Sequence, residues 1–190
     1  MHRSAATPTY WKVPFQWEGS QALSDGDEPD GVSWLGAEDD ERLSAVVAGV
    51  LAASPDPSDA AAVAASGARH AARRLLEATP TWGVSHQSGW WTMLTFRGEV
   101  AAFVLPVTYD DRARDGLDEA TIFHMGVLPE HRGLGLGRAL LRHATRTLVT
   151  HGVWRIFCDT GATNDPMIHL FDSEGWHRLP PHERPVSASF

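Results

Sequence analysis

The chain is poor in cysteine and lysine and has no long hydrophobic run. Cys158 is the only cysteine among 190 residues, so neither an internal disulfide nor a multi-cysteine metal site can form. The ten histidines include no HxH or HExxH spacing, which argues against a metal centre. No apolar segment approaches the roughly 18 residues that a membrane-spanning helix needs, and residues 1–16 lack the charged-then-apolar pattern of a secretion signal. We therefore expect a cytoplasmic protein with no metal and no membrane partner.

Basic residues are outnumbered by acidic ones, 16 against 24, which gives a net charge of −8. Nucleic-acid binding needs a basic surface that neutralises phosphates, so no nucleic-acid partner is expected. The excess acidity is confined to residues 1–60, where eleven acidic residues accompany three basic ones, while residues 61–190 are neutral overall. An acidic segment attracts cations, and this favours a cationic substrate.

The length and the 43% hydrophobic content suit one α/β domain with a terminal extension. We assign residues 1–36 to an irregular N-terminal extension and residues 37–190 to the domain. Within the extension, residues 10–17 have the pattern of a strand. Pro14 should restrict that strand to a sheet edge, because proline has no backbone N–H to donate.

Hydrophobic periodicity predicts four helices and five further strands. The helices cover residues 37–53, 59–78, 135–150 and 166–174, and the strands cover residues 32–35, 91–96, 100–109, 120–127 and 153–160. Arg97-Gly-Glu99 predicts a hairpin turn between two of these strands. Asp165 is suited to cap the last helix, because Pro166 follows it at the first helical position and Gly175 follows the helix end.

The most informative segment is Arg132-Gly-Leu-Gly-Leu-Gly137, which follows a strand and precedes an amphipathic helix. Glycines let the backbone approach a ligand closely, and amides that converge at a helix N-terminus bind phosphate. The loop is not a Walker A motif, because the required lysine is absent. Its Gly-x-Gly-x-Gly spacing also differs from the dinucleotide fingerprint Gly-x-Gly-x-x-Gly. A pyrophosphate is the expected ligand, and a glycine-rich turn without a ligand is the alternative.

With its surroundings, this loop resembles the acetyl-CoA-binding motif of the GNAT acetyltransferase superfamily. The strand before it ends in Val127-Leu-Pro129, the later segment 152–164 resembles the family's following strand and Asn-containing loop, and residues 168–176 are similar to the family's Leu-Tyr-x-x-x-Gly-Phe signature. Residues 118–123 are most similar to the ribosomal-protein alanine N-acetyltransferase subtype. The resemblance covers about residues 91–177. It implies the α/β GNAT fold, with a mixed central sheet of about six to seven strands and helices on both faces.

The resemblance also implies acetyl-CoA as the co-substrate. Backbone groups of Met125, Gly126 and Val127 would hold the pantetheine arm and the thioester carbonyl, and Asn164 would hydrogen-bond the pantetheine. The amides of the loop would hold the pyrophosphate, and the loop residues are Arg132, Gly133, Leu134, Gly135, Leu136, Gly137 and Arg138. A strand that splays from its neighbour offers unpaired amides, which can polarise a carbonyl as an oxyanion hole does.

The implied reaction is attack of an amine on a thioester, and the amine must lose a proton because it is mostly protonated near pH 7. Three residues are candidates for the base, acting directly or through water. Glu119 begins the strand before the loop, Asp159 lies on the next strand, and His124 lies between them with an ordinary pKa suited to the task. Each also has a structural interpretation, as a solvated acid or a packed strand histidine, and the sequence leaves the choice open.

By its position Phe171 belongs with the predicted cofactor-binding residues, but it departs from the family pattern, because the family usually has a tyrosine there that protonates the departing thiolate. Phenylalanine cannot donate a proton. A thiol has an ordinary pKa near 8.5, so CoA thiolate can leave unaided or through water. Phe171 therefore implies a changed mechanism, a slower enzyme or a protein that binds acyl-CoA without turnover.

We therefore predict an acetyl-CoA-dependent N-acetyltransferase whose acceptor is a small cationic amine. The first alternative is the same reaction on a protein or peptide amine, and the second is an acyl-CoA-binding module. A monomer or a homodimer is expected.

Overall fold

The computed structural model describes residues 7–23, 26–37 and 41–187. Within these residues the chain forms one mixed sheet flanked by helices. The strands are β1 (Thr9–Glu18), β2 (Val32–Gly36), β3 (Val84–Ser85), β4 (Thr92–Phe96), β5 (Glu99–Tyr109), β6 (Glu119–Val127), β7 (Arg155–Gly161), β8 (His177–Arg178) and β9 (His182–Pro185). The helices are α1 (Glu41–Ala52), α2 (Pro57–Ser66), α3 (Ala68–Glu77), α4 (Leu136–His151) and α5 (Asp165–Ser173).

The sheet follows the order β2-β4-β5-β6-β7-β1-β8, with β3 beside β5 and β9 beside β1. The pairs are antiparallel except for β6 and β7, which run parallel and are joined through α4. The mixed sheet and its flanking helices confirm the predicted fold class. Residues 38–40, with which the helix predicted over residues 37–53 begins, lie outside the described residues.

The predicted β4–β5 hairpin is confirmed, and its turn shows why the sequence signal was clear. Arg97 and Gly98 both have positive φ, +52° and +89°. This combination is typical of the type I′ turn, whose twist matches that of antiparallel strands. β6 pairs with the outer edge of this hairpin, since β5 lies between β4 and β6.

The edge position expected for β1 is wrong. β1 lies inside the sheet, with β7 on one side and β8 and β9 on the other. Both backbone polar groups of a strand residue face the same neighbour, and the carbonyl of Pro14 accepts from the Leu179 amide at 2.9 Å. Leu179 lies between β8 and β9, so the missing N–H of Pro14 faces an interval where neither strand needs it. The proposed boundary at residue 36 stays a prediction.

Two further expectations need correction. The single helix predicted over residues 59–78 is two helices, α2 and α3, because Gly67 adopts a φ of +81° that ends the first and begins the second. The N-cap of α5 is Asn164, not Asp165, since the Asn164 side chain accepts from the Met167 amide. In the part of the chain that the structure describes, no helix is long and apolar enough to cross a membrane.

β6 and β7 separate soon after they begin. Their pairing is confined to Glu119 with Arg155 and Ala120 with Ile156. Beyond these pairs the strands diverge, and a register shift between β5 and β6 leaves Phe123 as an extra residue in β6. A bulge of this kind bends the strand and re-aims the following side chains. The splayed strand expected from the sequence is therefore present, and it opens a cleft in the middle of the sheet.

Candidate functional site

A cleft of about 1620 Å³ occupies the opening between β6 and β7. One side is formed by the end of β6, the loop before α4 and the start of α5. The other side is formed by β1, by the segment 54–59 that leads into α2, and by β7. The two sides differ in chemistry, so we describe them separately as the loop side and the acceptor side.

Most of the residues predicted to hold the cofactor line this cleft. They are Met125, Gly126, Val127, Arg132, Gly133, Gly135, Leu136, Gly137, Arg138, Asn164 and Phe171. Leu134 is 44% exposed and does not line it. The structure therefore brings eleven of the twelve predicted residues to one cavity wall.

Backbone geometry makes the loop side suitable for an anion. Gly135 is the N-cap of α4 and adopts the left-handed conformation, with φ +78° and ψ 0°. The first amides of a helix have no acceptor within the helix, and its N-terminus carries partial positive charge. The loop therefore presents N–H groups at the cleft, as phosphate-binding helix N-termini do.

The two arginines of the loop are held by protein groups. Arg132 donates to the carbonyls of Val127 and Ala53, each at 3.2 Å, and so connects the loop to β6 and α1. Arg138 lies 2.8 Å from the Glu174 carboxylate, which also pairs with Arg142 at 2.6 Å. The arginines thus fix the loop and α4 in place, while the backbone faces the cleft.

Gly126 lies where β6 packs closely against α1, and there is no room for a side chain at this position. A Cβ at this position would lie 2.3 Å from Cγ1 of Val50 and 3.2 Å from its Cγ2. Val50 is 5% exposed and belongs to the core face of α1. Any larger residue would therefore force either Val50 or the end of β6 to shift.

Phe171 is a buried aromatic residue on the cleft wall. Its ring stacks on Phe15 at 4.6 Å and contacts Trp176 edge-on at 5.0 Å. Asn164 also has a structural role, because its Oδ1 accepts from the Met167 amide at 3.4 Å. Its side-chain NH₂ group is not used by that bond, and so its chemistry still allows the predicted hydrogen bond to pantetheine.

Of the three candidate bases, Glu119 is not brought to the cleft. Its side chain is 4% exposed and lies 2.9 Å from Nη2 of Arg155 and 3.8 Å from Nη1 of Arg112. These ion pairs form at the start of the parallel β6–β7 pairing. Glu119 therefore stabilises the point from which the two strands diverge.

Asp159 lines the acceptor side, where it belongs to a buried ion cluster. The Nζ of Lys12 lies 2.7 Å from Asp56 and 3.3 Å from Asp159. Burial alone lowers the pKa of Lys12, but the carboxylates of Asp159 and Asp56 outweigh it and hold that pKa above its ordinary value. Tyr10 adds a hydroxyl 3.1 Å from Asp56. The only lysine of the chain is thus a permanent cation between two acids.

His124 also lines the acceptor side, and it has a partner. Its Nε2 lies 3.4 Å from Oδ2 of Asp59, and the same oxygen accepts from the hydroxyl of Ser54 at 2.5 Å. Burial alone lowers the pKa of His124, but the Asp59 carboxylate reverses this and raises the pKa above its ordinary value. The Nδ1 of His124 is buried and has no hydrogen-bond partner among the described residues.

Cys158 occupies the gap between the diverging strands. Its Sγ accepts from the Ile122 amide at 3.4 Å, where a ladder hydrogen bond would otherwise lie. Burial raises the pKa of the thiol to about 12. The thiolate form is therefore disfavoured, and the residue fills the opening as a small, neutral group.

Sequence reasoning missed the residues that surround these candidates. They are Tyr10, Lys12, Ser54, Asp56 and Asp59. The segment Ser54-Pro-Asp-Pro-Ser-Asp59 reads as a helix breaker, and its Asp56 does cap α2 by accepting from the Ser58 amide at 2.8 Å. Nothing in that local pattern indicates a contact with a histidine 65 positions later.

Comparison with known proteins identifies the family to which the chain belongs. The sequence profile of the acetyltransferase (GNAT) family matches residues 70–176, which is more than half of the chain. The chain therefore belongs to the acetyltransferase (GNAT) family, and the resemblance drawn from its glycine loop is confirmed.

Part of the sequence is also similar to named acetyltransferases of bacteria. The ribosomal protein bS18-alanine N-acetyltransferase of Escherichia coli K12 is 37% identical over 84 residues, which are 44% of this chain and 52% of that protein. The protein of the same name from Salmonella typhimurium is 36% identical over 95 residues, 46% of this chain and 64% of that protein. The chain thus spans about half to two thirds of the length of these relatives.

Solved structures agree on the fold. A GCN5-related N-acetyltransferase from Sphaerobacter thermophilus superposes with a TM-score of 0.60 at 15% identity, over 96% of this chain and 54% of that one. Arabidopsis thaliana Naa50, in complex with the bisubstrate analogue CoA-Ac-MVNAL, superposes with a TM-score of 0.51 at 17% identity, over 76% of this chain and 82% of that one. At these identities the likeness establishes the fold alone.

Proposed function

We propose that the protein transfers an acetyl group from acetyl-CoA to the amine of a protein or peptide by direct attack on the thioester. The observation that carries this proposal is the cleft itself. In it, the glycine loop at the N-terminus of α4 lies beside a strand that has separated from its neighbour, an arrangement suited to an anion and a thioester. Family membership supports acetyl-CoA as the co-substrate.

The loop side would hold the cofactor. The amides around Gly135 suit the pyrophosphate, and the free edge of β6 at Met125, Gly126 and Val127 suits the pantetheine arm. A β6 amide could then donate to the thioester carbonyl as negative charge develops on its oxygen, which is the role of an oxyanion hole. No metal is needed for these contacts, because the donors are backbone groups.

The acceptor is assigned from the relatives together with the charge of the acceptor side. The acidic residues of segment 1–60 favour a small cationic amine. The named relatives act on a ribosomal protein, and a structural neighbour was solved with a peptide-containing analogue, which favours the protein or peptide alternative. Asp56, Asp59 and Asp159 form an acidic wall that suits the ammonium group of either acceptor. The small amine is therefore the second candidate.

The chemistry balances without an added reagent. The acceptor ammonium loses one proton to become the neutral amine, and the nitrogen of that amine attacks the thioester carbonyl carbon. The nitrogen loses a second proton as the amide forms and the carbon–sulfur bond breaks. CoA leaves as a thiolate that takes a proton from water, because Phe171 has none to donate. The overall products are the N-acetylated acceptor and CoA.

The test is release of CoA thiol by the purified protein with matched acceptors. One peptide that begins with alanine would be supplied with a free and with a blocked N-terminus, a blocked peptide would carry one lysine, and spermidine would represent small amines. We expect release with the free N-terminus and none with its blocked partner. Release confined to the lysine peptide would move the acceptor to a side-chain amine.

Three outcomes would contradict the proposal. Release with spermidine alone would restore the small-amine acceptor. Tight acetyl-CoA binding without release on any acceptor would show a binding module, and absence of acetyl-CoA binding would overturn the cofactor as well. Intact mass of the protein serves as the control for self-acetylation, which we do not expect at the only lysine because Lys12 is buried in an ion cluster.

A further inference from the structure

We infer that Asp59 and His124 act as a carboxylate–imidazole pair in which His124 takes the proton of the acceptor amine and Asp59 is its positioning residue. The inference rests on the proposed function and deepens it, since it selects one base from three candidates and adds a residue that the sequence pattern did not single out. It is carried by geometry in the acceptor side of the cleft.

The imidazole of His124 is held by one contact at its Nε2 and by a second contact on the face of its ring. Nε2 lies 3.4 Å from Oδ2 of Asp59, and the ring stacks on Phe103 at 5.7 Å with an interplanar angle of 21°. The bulge at Phe123 immediately precedes His124 and so determines where β6 directs its side chain. Asp59 is held in turn by the hydroxyl of Ser54 at 2.5 Å. A base whose orientation is fixed in advance loses little freedom when the substrate arrives.

The pair also determines which nitrogen accepts the proton. The two nitrogens of a histidine are distinct, and the hydrogen bond made by one fixes the state of the other. With the Nε2 hydrogen directed to Asp59, Nδ1 carries the lone pair. This Nδ1 is buried and has no partner among the described residues, so its lone pair is unused within the chain. Proton transfer therefore requires the acceptor amine, or one water, to reach Nδ1 from the cleft that His124 lines.

The other two candidate bases are already committed. Glu119 is engaged by Arg155 outside the cleft lining, and Asp159 lies 3.3 Å from the Lys12 ammonium. Each of these carboxylates is therefore already paired with a cation before an acceptor arrives. His124 gains an attraction instead, because its protonated form is stabilised by Asp59.

Proton transfer is balanced within the pair. The acceptor ammonium first loses one proton to water, the neutral amine attacks the thioester carbonyl, and its nitrogen passes one further proton to Nδ1 of His124 as the amide forms. The imidazolium then remains beside the Asp59 carboxylate. The thiolate leaves with the electron pair of the carbon–sulfur bond. The imidazolium then releases its proton to water or to the thiolate, which restores the base.

The charged groups that face His124 give the direction of the pH dependence. Asp59 and Asp56 on the α2 side raise its pKa, while Lys12 on β1 and burial lower it, and the net pKa is raised. His124 acts as a base only when neutral, so the rate should rise as the pH increases through this raised pKa. Asp59→Asn removes the main cause of the rise and should move that limb of the profile to lower pH.

The experiment compares the pH dependence of kcat/KM for the wild type, Asp59→Asn and His124→Gln with one acceptor peptide. We expect His124→Gln to lower kcat by about 10²-fold or more, as loss of a general base does. Asp59→Asn should lower kcat less and shift the limb, whereas a merely structural residue would lower the rate without moving the limb. Because all variants use the same amine, the titration of the acceptor cancels in the comparison.

A second carboxylate–histidine pair provides the matched control. His151 Nε2 lies 3.5 Å from Oδ2 of Asp118, outside the lining of the cleft and with side chains 27% and 42% exposed. Asp118→Asn should leave the pH profile unchanged. If it shifts the limb as far as Asp59→Asn does, the shift reflects overall charge and the inference is wrong.

An independent readout separates this inference from the proposed function. The imidazole of His124 can be followed by NMR titration, with its signal assigned as the one missing in His124→Gln. The wild-type pKa should lie above that of Asp59→Asn. Equal values in the two proteins, or an unchanged rate limb in Asp59→Asn while the wild type acetylates peptide normally, would overturn the pair. Absence of turnover by the wild type, with acetyl-CoA bound, would instead overturn the proposed function.

Discussion

The two sides of the cleft are built by different means. On the loop side, consecutive residues from Met125 to Arg138 present backbone groups, and their arginines are held by protein contacts. On the acceptor side, charged side chains come from β1, the start of α2, β6 and β7, which are far apart in the chain. A backbone site tolerates most side-chain changes but not changes of backbone conformation. A side-chain site has the opposite sensitivity, because each charge is stabilised by another.

This difference predicts that the largest single loss of stability lies on the acceptor side. Lys12→Met would leave Asp56 and Asp159 without their cation, and both are less than one fifth exposed, at 17% and 18%. Removing one partner of a buried ion pair costs roughly 3–5 kcal/mol. We expect a fall of that size in the free energy of unfolding, measured by urea denaturation, and little change in acetyl-CoA affinity.

The matched control is an exposed ion pair. Arg178 and Asp172 form one with side chains 48% and 39% exposed, and such pairs contribute about 0–1 kcal/mol. Arg178→Met should therefore be nearly neutral. A Lys12→Met protein as stable as Arg178→Met, or one that loses acetyl-CoA binding, would remove the distinction between the two sides.

The next largest effect is expected on the loop side, where Gly126 of β6 packs against Val50 of α1. Gly126→Ala would place a Cβ 2.3 Å from Val50, and overpacking of this kind costs about 1–3 kcal/mol. Relief of this clash would shift the end of β6, where the pantetheine arm is proposed to bind, so we expect acetyl-CoA affinity to fall at least tenfold, measured by calorimetry.

Val50→Ala supplies the control for that prediction. In the double variant, the methyl group introduced by Gly126→Ala would occupy the space that the Val50 side chain has left, so binding should recover relative to the single Gly126→Ala variant. Failure of the double variant to recover would mean that the glycine matters for a reason other than its contact with α1.

The sequence was informative where the structure is local. The β4–β5 hairpin, α4 and the glycine loop depend on neighbouring residues. Their patterns predict both these elements and the residues that line the loop side of the cleft. The break at Gly67 was not predicted, because the Ala-rich periodicity continues across it. The N-cap of α5 was predicted one residue too late, because the adjacent residues Asn164 and Asp165 both suit an N-cap.

The acceptor side could not be predicted in this way. Asp59 reaches His124 only after α2 has packed beside the sheet, and Lys12 reaches Asp159 only because β1 lies in the interior next to β7. Pro14 predicts an edge strand by a sound rule, and the rule fails because its missing N–H faces the interval between β8 and β9. Contacts that depend on topology leave no local signal.

A smaller effect is expected from alanine substitutions at two glycines that flank α4. They distinguish the loss of stability caused by backbone strain from the loss of acetyl-CoA binding on the loop side. Gly135 and Gly152 flank α4, and both are left-handed, with φ +78° and +92°. Alanine at either position costs about 1–2 kcal/mol in backbone strain, and the new Cβ meets nothing closer than 3.5 Å. Both variants should lose similar stability by thermal melting, but only Gly135→Ala should weaken acetyl-CoA binding. Equal weakening by both would show that general destabilisation, not the loop, controls affinity.

The smallest effect concerns Phe171, which lies where the two sides meet. Its ring packs between Phe15 and Trp176, and Phe171→Tyr adds the hydroxyl that the family usually has there. A thiolate whose acid has a pKa near 8.5 leaves readily, so we expect kcat to change by less than about tenfold, measured with the same acceptor peptide for both proteins. A larger gain would show that departure of the thiolate limits the wild-type rate. In that case proton transfer at His124 would not be the slow step, and the acceptor side would govern the pH dependence of kcat/KM without governing kcat.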